Sequence, residues 1–422
     1  MSETSLSNWA GNVRYKATGT ASPGSVSDVE ELVRAAGPGG VRGMGRGHSF
    51  SPVGDTRGVL VSLRELPWLC EPVKGDAGTV VGARIGPGLT FGEICPVVDA
   101  WGCALPVLGS LPHISLGGAC ATGTHGSGWG NACVGAQVDE VLMIAGNGCQ
   151  RRVRRGDDSF DGVVVSLGAL GLVVEMVMRV VDSFDVEQYV FEGLPFPVLV
   201  ERLSEVLGAG YSVSVFWPLG PTADVWVKRR VPDEWWDLSG TGAAPAHEER
   251  HPVAGYPAAN CTPQLGWPGR WFERLPHFRA GFAPATGDEL QSEYLIPVED
   301  GGRALEAVAR IAPEISPLLL TVEVRSVAMD PCWLSPAYGR DSVAVHLTWV
   351  SDPVAVNAAV RSVEEALGPL AARPHWGKVF GMAPGTVAGL YPRWDDFRRL
   401  LDDYDPEGLF RNAMIDRIFP RG

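Results

Sequence analysis

Short apolar runs separated by glycine-rich turns dominate the chain from about residue 42 to residue 181. Runs of this length, bounded by turn residues, predict short β-strands. The clearest examples are 58–63, 79–85 and 138–146. We therefore expect the first part of the chain to be rich in strands.

One amphipathic helix is predicted ahead of these strands. Ser27 and Glu30 stand three residues apart, as in a capping box, in which each side chain bonds the other residue's backbone N–H. The apolar residues that follow the helical period on one face are Val29, Leu32, Val33 and Ala36. The helix is therefore expected to start near Ser27 and to bury that face.

After residue 183 the pattern changes, and strand patterns alternate with amphipathic helices. The helical segments are 302–311 and 353–367. A Pro- and Trp-rich stretch occupies 217–279, and 394–414 predicts a helix that the turn Asp405-Pro406-Glu407-Gly408 stops. Because 422 residues also exceed the usual size of one hydrophobic core, we expect two domains.

The composition is that of a folded globular protein, and its charge argues against a nucleic-acid partner. Hydrophobic residues make up 45% and charged residues 20% of the chain. Asp and Glu number 49 against 35 Lys and Arg, and the net charge of −14 would repel a phosphate backbone. The basic residues cluster only at Arg151, Arg152, Arg154 and Arg155. We interpret that run as a solvated turn between strands.

No segment predicts a membrane span or a secretory signal. The longest apolar run, 162–174, is shorter than a bilayer requires and ends at Glu175, so it predicts buried strands and a turn. Residues 1–13 are polar and lack the basic and apolar regions of a signal peptide. The eight cysteines show no CxxC spacing, and several stand in apolar stretches, namely Cys95, Cys103 and Cys120. We expect reduced, buried thiols and a cytoplasmic protein.

The first candidate site is the glycine loop Gly43-Met44-Gly45-Arg46-Gly47-His48-Ser49-Phe50. Alternate glycines let backbone N–H groups converge on an anion without obstruction by side chains. A dinucleotide-binding fingerprint would open a long helix, and a nucleophile elbow would need a glycine two residues after the serine; residues 50–54 permit neither. Taken alone, a glycine-rich loop with one histidine is more often a structural turn than a site.

Two further segments are rich in small and hydroxylated residues. They are 110–118, Ser-Leu-Pro-His-Ile-Ser-Leu-Gly-Gly, and 121–128, Ala-Thr-Gly-Thr-His-Gly-Ser-Gly. Such residues let a backbone lie flat against a planar or phosphorylated ligand, while the hydroxyls supply hydrogen bonds. A pair of glycine-rich hairpins is the alternative. Three such segments in one part of the chain favour a cofactor cradle.

The segment His247-Glu248-Glu249-Arg250-His251 matches the zinc-peptidase pattern HExxH. In that pattern both histidines bind the metal from one face of a helix. Pro245 and Pro252 leave too few residues for such a helix. We therefore expect no metal site here.

Polar residues interrupt three apolar segments later in the chain: 323–325 (Glu-Val-Arg), 346–348 (His-Leu-Thr) and 375–378 (His-Trp-Gly-Lys). Residues two apart on a strand point to the same face, so Glu323 should project with Arg325, and His346 with Thr348. Burying such groups is costly unless they are paired. The pattern indicates a functional pocket, with a structural ion-pair network as the alternative.

Together these segments resemble the vanillyl-alcohol oxidase superfamily of flavoproteins, and within it the alditol oxidases. The resemblance rests on the Gly-His-Ser loop, on the two segments rich in small residues, and on Asp405-Pro406-x-Gly408-x-Phe410-x-Asn412. It extends from Asn8 to the carboxyl terminus. Further similar segments are 291–294, 333–341 and 373–380.

The resemblance implies an α+β, two-domain fold of the vanillyl-alcohol oxidase type. Residues 1–182 and 386–422 would form an FAD-binding domain, and residues 183–385 a substrate-binding domain of mixed sheet and helices. In the family a histidine of the Gly-His-Ser loop is bonded to the 8α carbon of the flavin ring, and His48 holds that position. We expect FAD as the cofactor, attached covalently through His48.

The resemblance also implies roles for individual residues. The family's cofactor contacts fall on Gly43, Met44, Gly45, Arg46, Gly47, His48, Ser49, Ser110, Ser115, Gly118, Thr122, Gly123, Thr124, His125, Val173 and His375. Its substrate contacts fall on Ser110, Glu323, Arg325, Thr348 and Lys378. As catalytic groups we expect Arg325 and Lys378 to stabilise alkoxide character on the substrate, Glu323 to hold hydroxyls, and His346 to be a candidate proton acceptor.

The implied activity is oxidation of the terminal hydroxyl of a small polyol, similar to xylitol or sorbitol, to the aldose with release of hydrogen peroxide. Gly109 stands where the family controls oxygen access, which favours O₂ as acceptor. We expect a monomer with no nucleic-acid or membrane partner. Met44, Arg46 and 107–109 depart from the family pattern. A sugar lactone or a specialised-metabolite hydroxyl as substrate, and a binding protein without turnover, are therefore the alternatives.

Overall fold

The computed structural model describes residues 6–234, 238–282 and 289–421. Its architecture is α+β, as the resemblance implies, with separate sheets in the earlier and later parts of the chain. Residues 1–5 lie outside the described ranges. They belong to the segment 1–13, for which the sequence predicts no signal peptide.

The earlier part is built mainly from short strands, as predicted. These are β1 (Gly19–Ala21), β2 (Val41–Gly43), β3 (Val59–Val61), β4 (Cys70–Lys74), β5 (Val80–Ile85), β6 (Cys103–Ala104), β7 (Val138–Ile144), β8 (Gln150–Arg154), β9 (Leu172–Arg179) and β10 (Val181–Asp182). Its helices are α1 (Val26–Arg34), α2 (Phe91–Ala100), α3 (Leu116–Ala121) and α4 (Phe160–Val164). A parallel sheet has the order β1-β3-β2, an antiparallel sheet the order β4-β5-β9-β7-β8, and β6 pairs with β10.

Helix α1 is capped two residues earlier than the sequence indicates. Ser25 is the N-cap, and its side chain accepts a hydrogen bond from the Asp28 backbone N–H at 3.1 Å. The predicted capping box at Ser27 and Glu30 is wrong, because Ser27 is already the second residue of the helix and the Glu30 carboxylate accepts from the Arg34 and Gln150 side chains instead. The apolar face is confirmed, since Val29 and Val33 are fully buried.

Two local interpretations are corrected by the strand pairing. The arginine run 151–155 lies mostly on the edge strand β8, which pairs with β7, so it is not a turn. Its side chains form ion pairs with Glu140, Glu175 and Asp403. The apolar run 162–174 contains the end of α4 and the start of β9, joined by a turn, so its first part is helical. In both places cross-strand or tertiary contacts decided the local structure.

The later part forms one large antiparallel sheet with helices. Its strands are β11 (Asp185–Pro195), β12 (Ser212–Trp217), β13 (Thr222–Val231), β14 (Ala244–Pro245), β15 (Gly269–Arg270), β16 (Glu289–Pro297), β17 (Leu319–Val327), β18 (Ser342–Val350) and β19 (Arg373–Pro374). Its helices, with those near the carboxyl terminus, are α5 (Phe196–Glu201), α6 (Leu203–Leu207), α7 (Gly301–Arg310), α8 (Ala312–Ile315), α9 (Pro353–Leu367), α10 (Pro384–Leu390), α11 (Trp394–Tyr404) and α12 (Ala413–Ile418). The order is β14-β11-β13-β12-β17-β18-β16-β19, with β15 beside β11. The predicted helices α7, α9 and α11 are confirmed.

The register of this sheet places polar residues in one row. His346 on β18 stands opposite Glu323 on β17 and opposite Glu293 on β16. The alternate residues Val324 and Leu347 belong to the hydrophobic core on the other face. The alternation therefore turns one face of β16, β17 and β18 into a polar surface backed by packed apolar side chains, as predicted for β17 and β18.

The carboxyl-terminal segment returns to the earlier part of the chain. The Val41 backbone N–H donates to the Leu409 carbonyl at 2.7 Å, and Arg42 donates to the Phe410 carbonyl at 2.6 Å. The Asn412 amide donates to the carbonyls of Val53 and Asp55 at 3.0 and 2.8 Å. These contacts support grouping this segment with the earlier strands. The domain boundaries at residues 182 and 386 stay a prediction.

Two expectations concern the chain as a whole. Within the described ranges, no helix is long and apolar enough to cross a membrane. The eight cysteines are free, and Cys95, Cys103 and Cys120 are buried as predicted, whereas Cys149 is exposed.

Candidate active site

A cavity of about 490 Å³ opens between the glycine-rich segments and the polar face of the large sheet. Segments distant in sequence therefore meet at one site. The predicted residues that line this cavity are Gly43, Met44, Gly45, Arg46, Gly47, His48, Ser49, Ser110, Ser115, Gly118, Thr122, Thr124, His125, Glu323, Arg325, His346, Thr348, His375 and Lys378.

Two of the expected cofactor contacts are not among the lining residues. Gly123 packs toward Pro336, which a β-carbon at Gly123 would meet at 3.0 Å. Val173 lies on β9, where it pairs with Met143 and packs against the core. Neither residue lines the cavity, so direct contact with a ligand is not supported for them.

The glycine loop presents unpaired backbone donors to the cavity. Among the described residues, the N–H groups of residues 45–49 have no protein acceptor. Gly45 lies so close to Ser115 that a β-carbon there would overlap the Ser115 hydroxyl, and Gly47 has a φ of +70°, which favours glycine. The loop therefore offers a set of N–H donors whose arrangement suits an anion.

Arg42 anchors the base of this loop. It is buried, and its guanidinium donates to the carbonyls of Leu167 at 2.5 Å, Gly168 at 2.9 Å and Phe410 at 2.6 Å. Arg42 also donates to the Val53 carbonyl, so three separate segments are tied to the strand that ends in the loop. Burial lowers the pKa of Arg42 to about 10, which leaves it charged at neutral pH.

His48 lies half-buried at the end of the loop, with its ring centroid 5.3 Å from that of Trp9. Burial, followed by the positive charges of His113, Lys378 and Arg46, lowers the pKa of His48 to about 4. The imidazole is therefore neutral at neutral pH and keeps a nucleophilic lone pair.

The histidine loop is fastened directly to the segment that carries Lys378. The Phe50 backbone N–H donates to the Gly377 carbonyl at 2.7 Å, and the Ser51 hydroxyl donates to the Trp376 carbonyl at 2.5 Å. His48 and Lys378 consequently keep a fixed relation across the cavity.

Glu293 is the centre of the buried charge network, and the sequence did not predict it as a site residue. Its carboxylate is hydrogen-bonded to Arg325 and lies 3.3 Å from His125 Nε2 and 3.4 Å from His346 Nδ1. Burial alone would raise the pKa of Glu293, but Arg325 and the two imidazoles hold it well below its usual range. The sequence did contain a signal for Glu293. Gln291 and Glu293 stand two residues apart on one strand, as Glu323 and Arg325 do, so both should point to the same face.

Glu323 is the second buried carboxylate of the cavity. His277 Nε2 lies 2.8 Å from Glu323 Oε1, and Arg325 Nε lies 3.5 Å from the same oxygen. Although burial opposes ionisation, Arg325 and His277 hold the pKa of Glu323 well below its usual range. Nothing in the sequence around His277 predicted it, because it lies in an irregular segment without strand or helix periodicity.

Lys378 and His375 complete the polar wall. Lys378 donates to the Gln291 side chain and lies 5.1 Å from the Phe50 ring centroid. Burial lowers the pKa of Lys378 to about 8, so the ammonium form still dominates at neutral pH. The Gly377 N–H donates to His375 Nδ1 at 3.1 Å, which places the ring proton of a neutral His375 on Nε2.

His125, Glu293 and His375 bring ligand-type atoms within 4.8 Å of one another. Arg325 binds the same carboxylate, and its fixed positive charge would repel a metal ion there. The expectation of no metal at this site therefore stays in place as a prediction.

The HExxH segment is not helical, as predicted from its flanking prolines. His251 instead lines the outer part of the cavity, and its Nδ1 accepts a hydrogen bond from the Val253 backbone N–H at 3.0 Å. Its ring stacks on Tyr256, with centroids 5.3 Å apart. This segment forms an aromatic wall of the cavity mouth.

Two family models match the chain. One, described as an FAD binding domain, covers residues 17–154, and the other, described as D-arabinono-1,4-lactone oxidase, covers residues 288–418. The first contains the glycine loop and both segments rich in small residues. The second contains most of the polar wall.

Curated relatives match nearly the whole chain. The chain is 45% identical over 416 residues to an alditol oxidase from a Streptomyces species, with 98% of each chain covered. It is 27% identical to an L-gulono-1,4-lactone dehydrogenase from Mycobacterium tuberculosis, again over 98% of each chain. It is 22% identical to L-gulonolactone oxidase from Mus musculus, over 98% of this chain and 97% of that protein.

Solved structures match the fold. Cholesterol oxidase from B. sterolicum superposes with a TM-score of 0.78 at 14% identity, covering 99% of this chain and 96% of that one. A solvent-stable cholesterol oxidase gives a TM-score of 0.76 at 16% identity, with 98% and 97% covered. At this identity the likeness shows a shared fold and nothing about substrate, and it confirms the predicted fold class.

Proposed function

The chain belongs to the alditol oxidase family of FAD-dependent flavoproteins in the vanillyl-alcohol oxidase superfamily, and from that premise we propose that it oxidises the terminal hydroxyl of a small alditol to the aldose. The electrons would pass to O₂ with release of hydrogen peroxide. The observation that carries the proposal is the set of Glu293, Glu323 and Arg325, all buried, with the half-buried Lys378 on the same cavity face.

The residues present fit FAD. The unpaired N–H groups of residues 45–49 suit a pyrophosphate, and the small side chains near Gly118 leave a flat wall for a planar ring. His48 is neutral and borders the cavity, as a covalent attachment to the flavin ring requires. When bound, FAD supplies a hydride acceptor and then a reductant for O₂.

The polar wall suits a substrate with several hydroxyls. Glu323 is ionised and acceptor-only, whereas Arg325 and Lys378 are donor-only. A polyol can donate to the first and accept from the others, and a site built this way rejects analogues that lack a hydroxyl. Ser110 and Thr348 add groups that can donate or accept on two sides of the cavity.

The same groups can assist removal of the hydroxyl proton. Arg325 and Lys378 stabilise negative charge that develops on the substrate oxygen. His346 is neutral, because burial lowers its pKa despite the nearby Glu293. If its Nδ1 proton points at Glu293, 3.4 Å away, its Nε2 is left as the acceptor for the hydroxyl proton.

A substrate panel with peroxide detection tests the proposal. Purified holoenzyme should release one hydrogen peroxide per xylitol or sorbitol consumed, with lower kcat/KM for L-gulono-1,4-lactone. Dependence on an artificial electron acceptor would contradict O₂ as the acceptor. Faster turnover of the lactone would favour the second candidate, a lactone oxidase, although the relatives with that activity in their names are more distant than the alditol oxidase. If no alcohol reduced the bound flavin, the chain would be a binding protein.

Lys378→Met is expected to slow reduction of the flavin by xylitol about 100-fold, because it removes a cation from the developing oxyanion. The wild-type rate should fall as pH rises through about 8, since the ammonium loses its proton there. The variant should lack this alkaline limb. Anaerobic stopped-flow measurements between pH 6 and pH 10 check both points. A rate unchanged from wild type would refute the role.

Gly109→Val is expected to slow reaction with O₂ at least tenfold while flavin reduction by xylitol changes little. A β-carbon at Gly109 would contact Thr124 Cγ2 at 3.3 Å and Ile114 Cδ1 at 3.6 Å, so the two further methyl groups must extend into the remaining space. Separate stopped-flow runs for reduction and reoxidation give the two rates. Gly109→Ala is the matched control, and equal reoxidation rates in all three proteins would rule out oxygen access at this position.

A further inference from the structure

His277 joins two residues on opposite sides of the substrate pocket. Its imidazole Nε2 lies 2.8 Å from Glu323 Oε1, and its backbone N–H donates to the Ser110 carbonyl at 3.1 Å. One residue therefore holds a carboxylate of the large sheet and the backbone of the loop that follows Gly109. Neither the family models nor the sequence pattern assigned it a role.

The imidazole of His277 is held rigidly. Phe216 and Trp226 meet its ring edge-on, with centroids 5.5 and 5.6 Å away and interplanar angles of 70° and 82°. Residue His277 is only 5% exposed, so rotation of its imidazole would have to displace these aromatic rings. The orientation of Nε2 toward Glu323 is thus a packed feature of the fold.

The other ring nitrogen faces a buried amine. Lys228 Nζ on β13 lies 3.0 Å from His277 Nδ1 and donates to the Leu275 carbonyl at 2.5 Å. Lys228 is 1% exposed and does not line the cavity. Ionised Glu323 can only accept, so its hydrogen bond with Nε2 requires the ring proton there, and Nδ1 is left to accept from Lys228. The proton of a neutral His277 then lies on Nε2, aimed at Glu323.

We propose that Lys228 and His277 are positioning residues that keep Glu323 oriented as an acceptor for substrate hydroxyls. The role rests on the proposed function, because the substrate is taken to be a polyol. Lys228 holds the imidazole through Nδ1, His277 occupies Oε1 of Glu323, and the other carboxylate oxygen is left for a substrate hydroxyl in the cavity that His277 and Glu323 both line. This arrangement selects a substrate with a hydroxyl at the matching position.

The charged and titratable groups around this pair come from two strands and an irregular segment. Lys228 lies on β13, Glu323 and Arg325 lie on β17, and Cys261 faces Lys228 from an irregular segment. Burial lowers the pKa of Lys228 to about 7, and burial together with the Lys228 charge lowers the pKa of His277 to about 4. Removing Lys228 should therefore raise the pKa of His277.

A matched pair of variants tests the role in catalysis. His277→Gln keeps an N–H donor for Glu323, whereas His277→Leu has a similar volume and no donor. The substrates compared are xylitol and a series of deoxypentitols, each of which lacks one of the xylitol hydroxyls. Wild type should discriminate against one member of the series about 100-fold or more in kcat/KM. His277→Leu and Lys228→Met should reduce that ratio at least tenfold, and His277→Gln should retain most of it.

Loss of discrimination must be separated from loss of folding. Retained flavin content and an unchanged near-ultraviolet circular dichroism spectrum show that a variant is folded. If folded His277→Leu and Lys228→Met keep the wild-type ratio within twofold, the positioning role is overturned. If a variant does not fold, the histidine tautomer is measured by NMR instead, which needs only wild type and His277→Gln.

Nitrogen NMR of the ¹⁵N-histidine-labelled holoenzyme tests the tautomer without turnover. The chain has eight histidines, and the signals missing from His277→Gln identify His277. We expect Nε2 of His277 to be protonated and Nδ1 to be an acceptor at pH 7. In folded Lys228→Met, His277 should bind a second ring proton at a higher pH than it does in wild type. A protonated Nδ1 on neutral His277 would overturn the proposal. Failure of wild type to oxidise any alditol would instead refute the proposed function.

Discussion

His48→Ala is expected to leave no flavin on the denatured chain, whereas wild type should retain its yellow colour through precipitation in acid. His48 lies at the cavity edge with a pKa of about 4, so its lone pair is free to bond the flavin ring at neutral pH. Without the tether the flavin ring can shift, and a displacement of about 1 Å can cost about 100-fold in rate. We therefore expect kcat to fall at least tenfold even with added FAD.

The control for this variant is His113→Ala. His113 is the histidine whose charge acts most strongly on His48, and its Nε2 lies 2.9 Å from the Ala280 carbonyl. That variant should keep the covalent flavin, and peptide mapping of wild type should place the flavin on the peptide that contains His48. Colour that persists on denatured His48→Ala protein would show that another residue carries the flavin.

Arg325→Met is expected to produce the largest loss of both stability and activity. Arg325 is 5% exposed and lies between Glu293 and Glu323, and both carboxylates owe their ionised state mainly to it. Removing one partner of a buried ion pair costs about 3–5 kcal/mol, because the remaining charge is left without compensation. The lost donor should also lower kcat/KM for xylitol about 100- to 1000-fold.

The pH dependence of this variant has a definite sign. The pKa values of Glu293 and Glu323 are lowered in the folded wild type, so their ionisation stabilises it at neutral pH, and that contribution is lost as the pH falls through those lowered pKa values. In Arg325→Met both pKa values should rise, so the loss of stability relative to wild type should be larger at pH 7 than at pH 4. Urea unfolding at both pH values measures this difference.

Arg325→Lys is the matched control because it keeps the charge and loses only the forked geometry. It should recover most of the stability but little of the activity, since a lysine cannot reach Glu293, Glu323 and the substrate together. If Arg325→Met unfolded within 1 kcal/mol of wild type at pH 7, the two carboxylates would not depend on Arg325.

Local pattern was a good guide wherever a feature depends on neighbouring residues. The alternation in 323–325 and 346–348 placed these side chains on one buried face, and the apolar period of α1 located Val29 and Val33. Helix starts were less well determined. Ser25 and Ser27 are both plausible caps, and only the extended backbone of Ser25 decided between them.

The site itself was predicted only in part. The same alternation that identified Glu323 also runs through Gln291 and Glu293, yet Glu293 became visible as the centre of the network only when β16 paired with β18. His277 and Lys228 had no sequence signal at all, because their roles come from contacts between β13, β17 and an irregular segment. For Gly123 and Val173, family likeness alone pointed to ligand contact that the cavity lining does not support.

By itself the sequence determined the strand and helix periods, the unobstructed glycine loop, and the resemblance from which an FAD cofactor follows. These follow from backbone geometry and from residue types that act within a few positions of one another. The tertiary structure alone decided which side chains meet across the cavity. Glu293 comes from β16, whereas Glu323 and Arg325 come from β17, and their ionisation depends on distances and burial that arise only when the sheet is assembled.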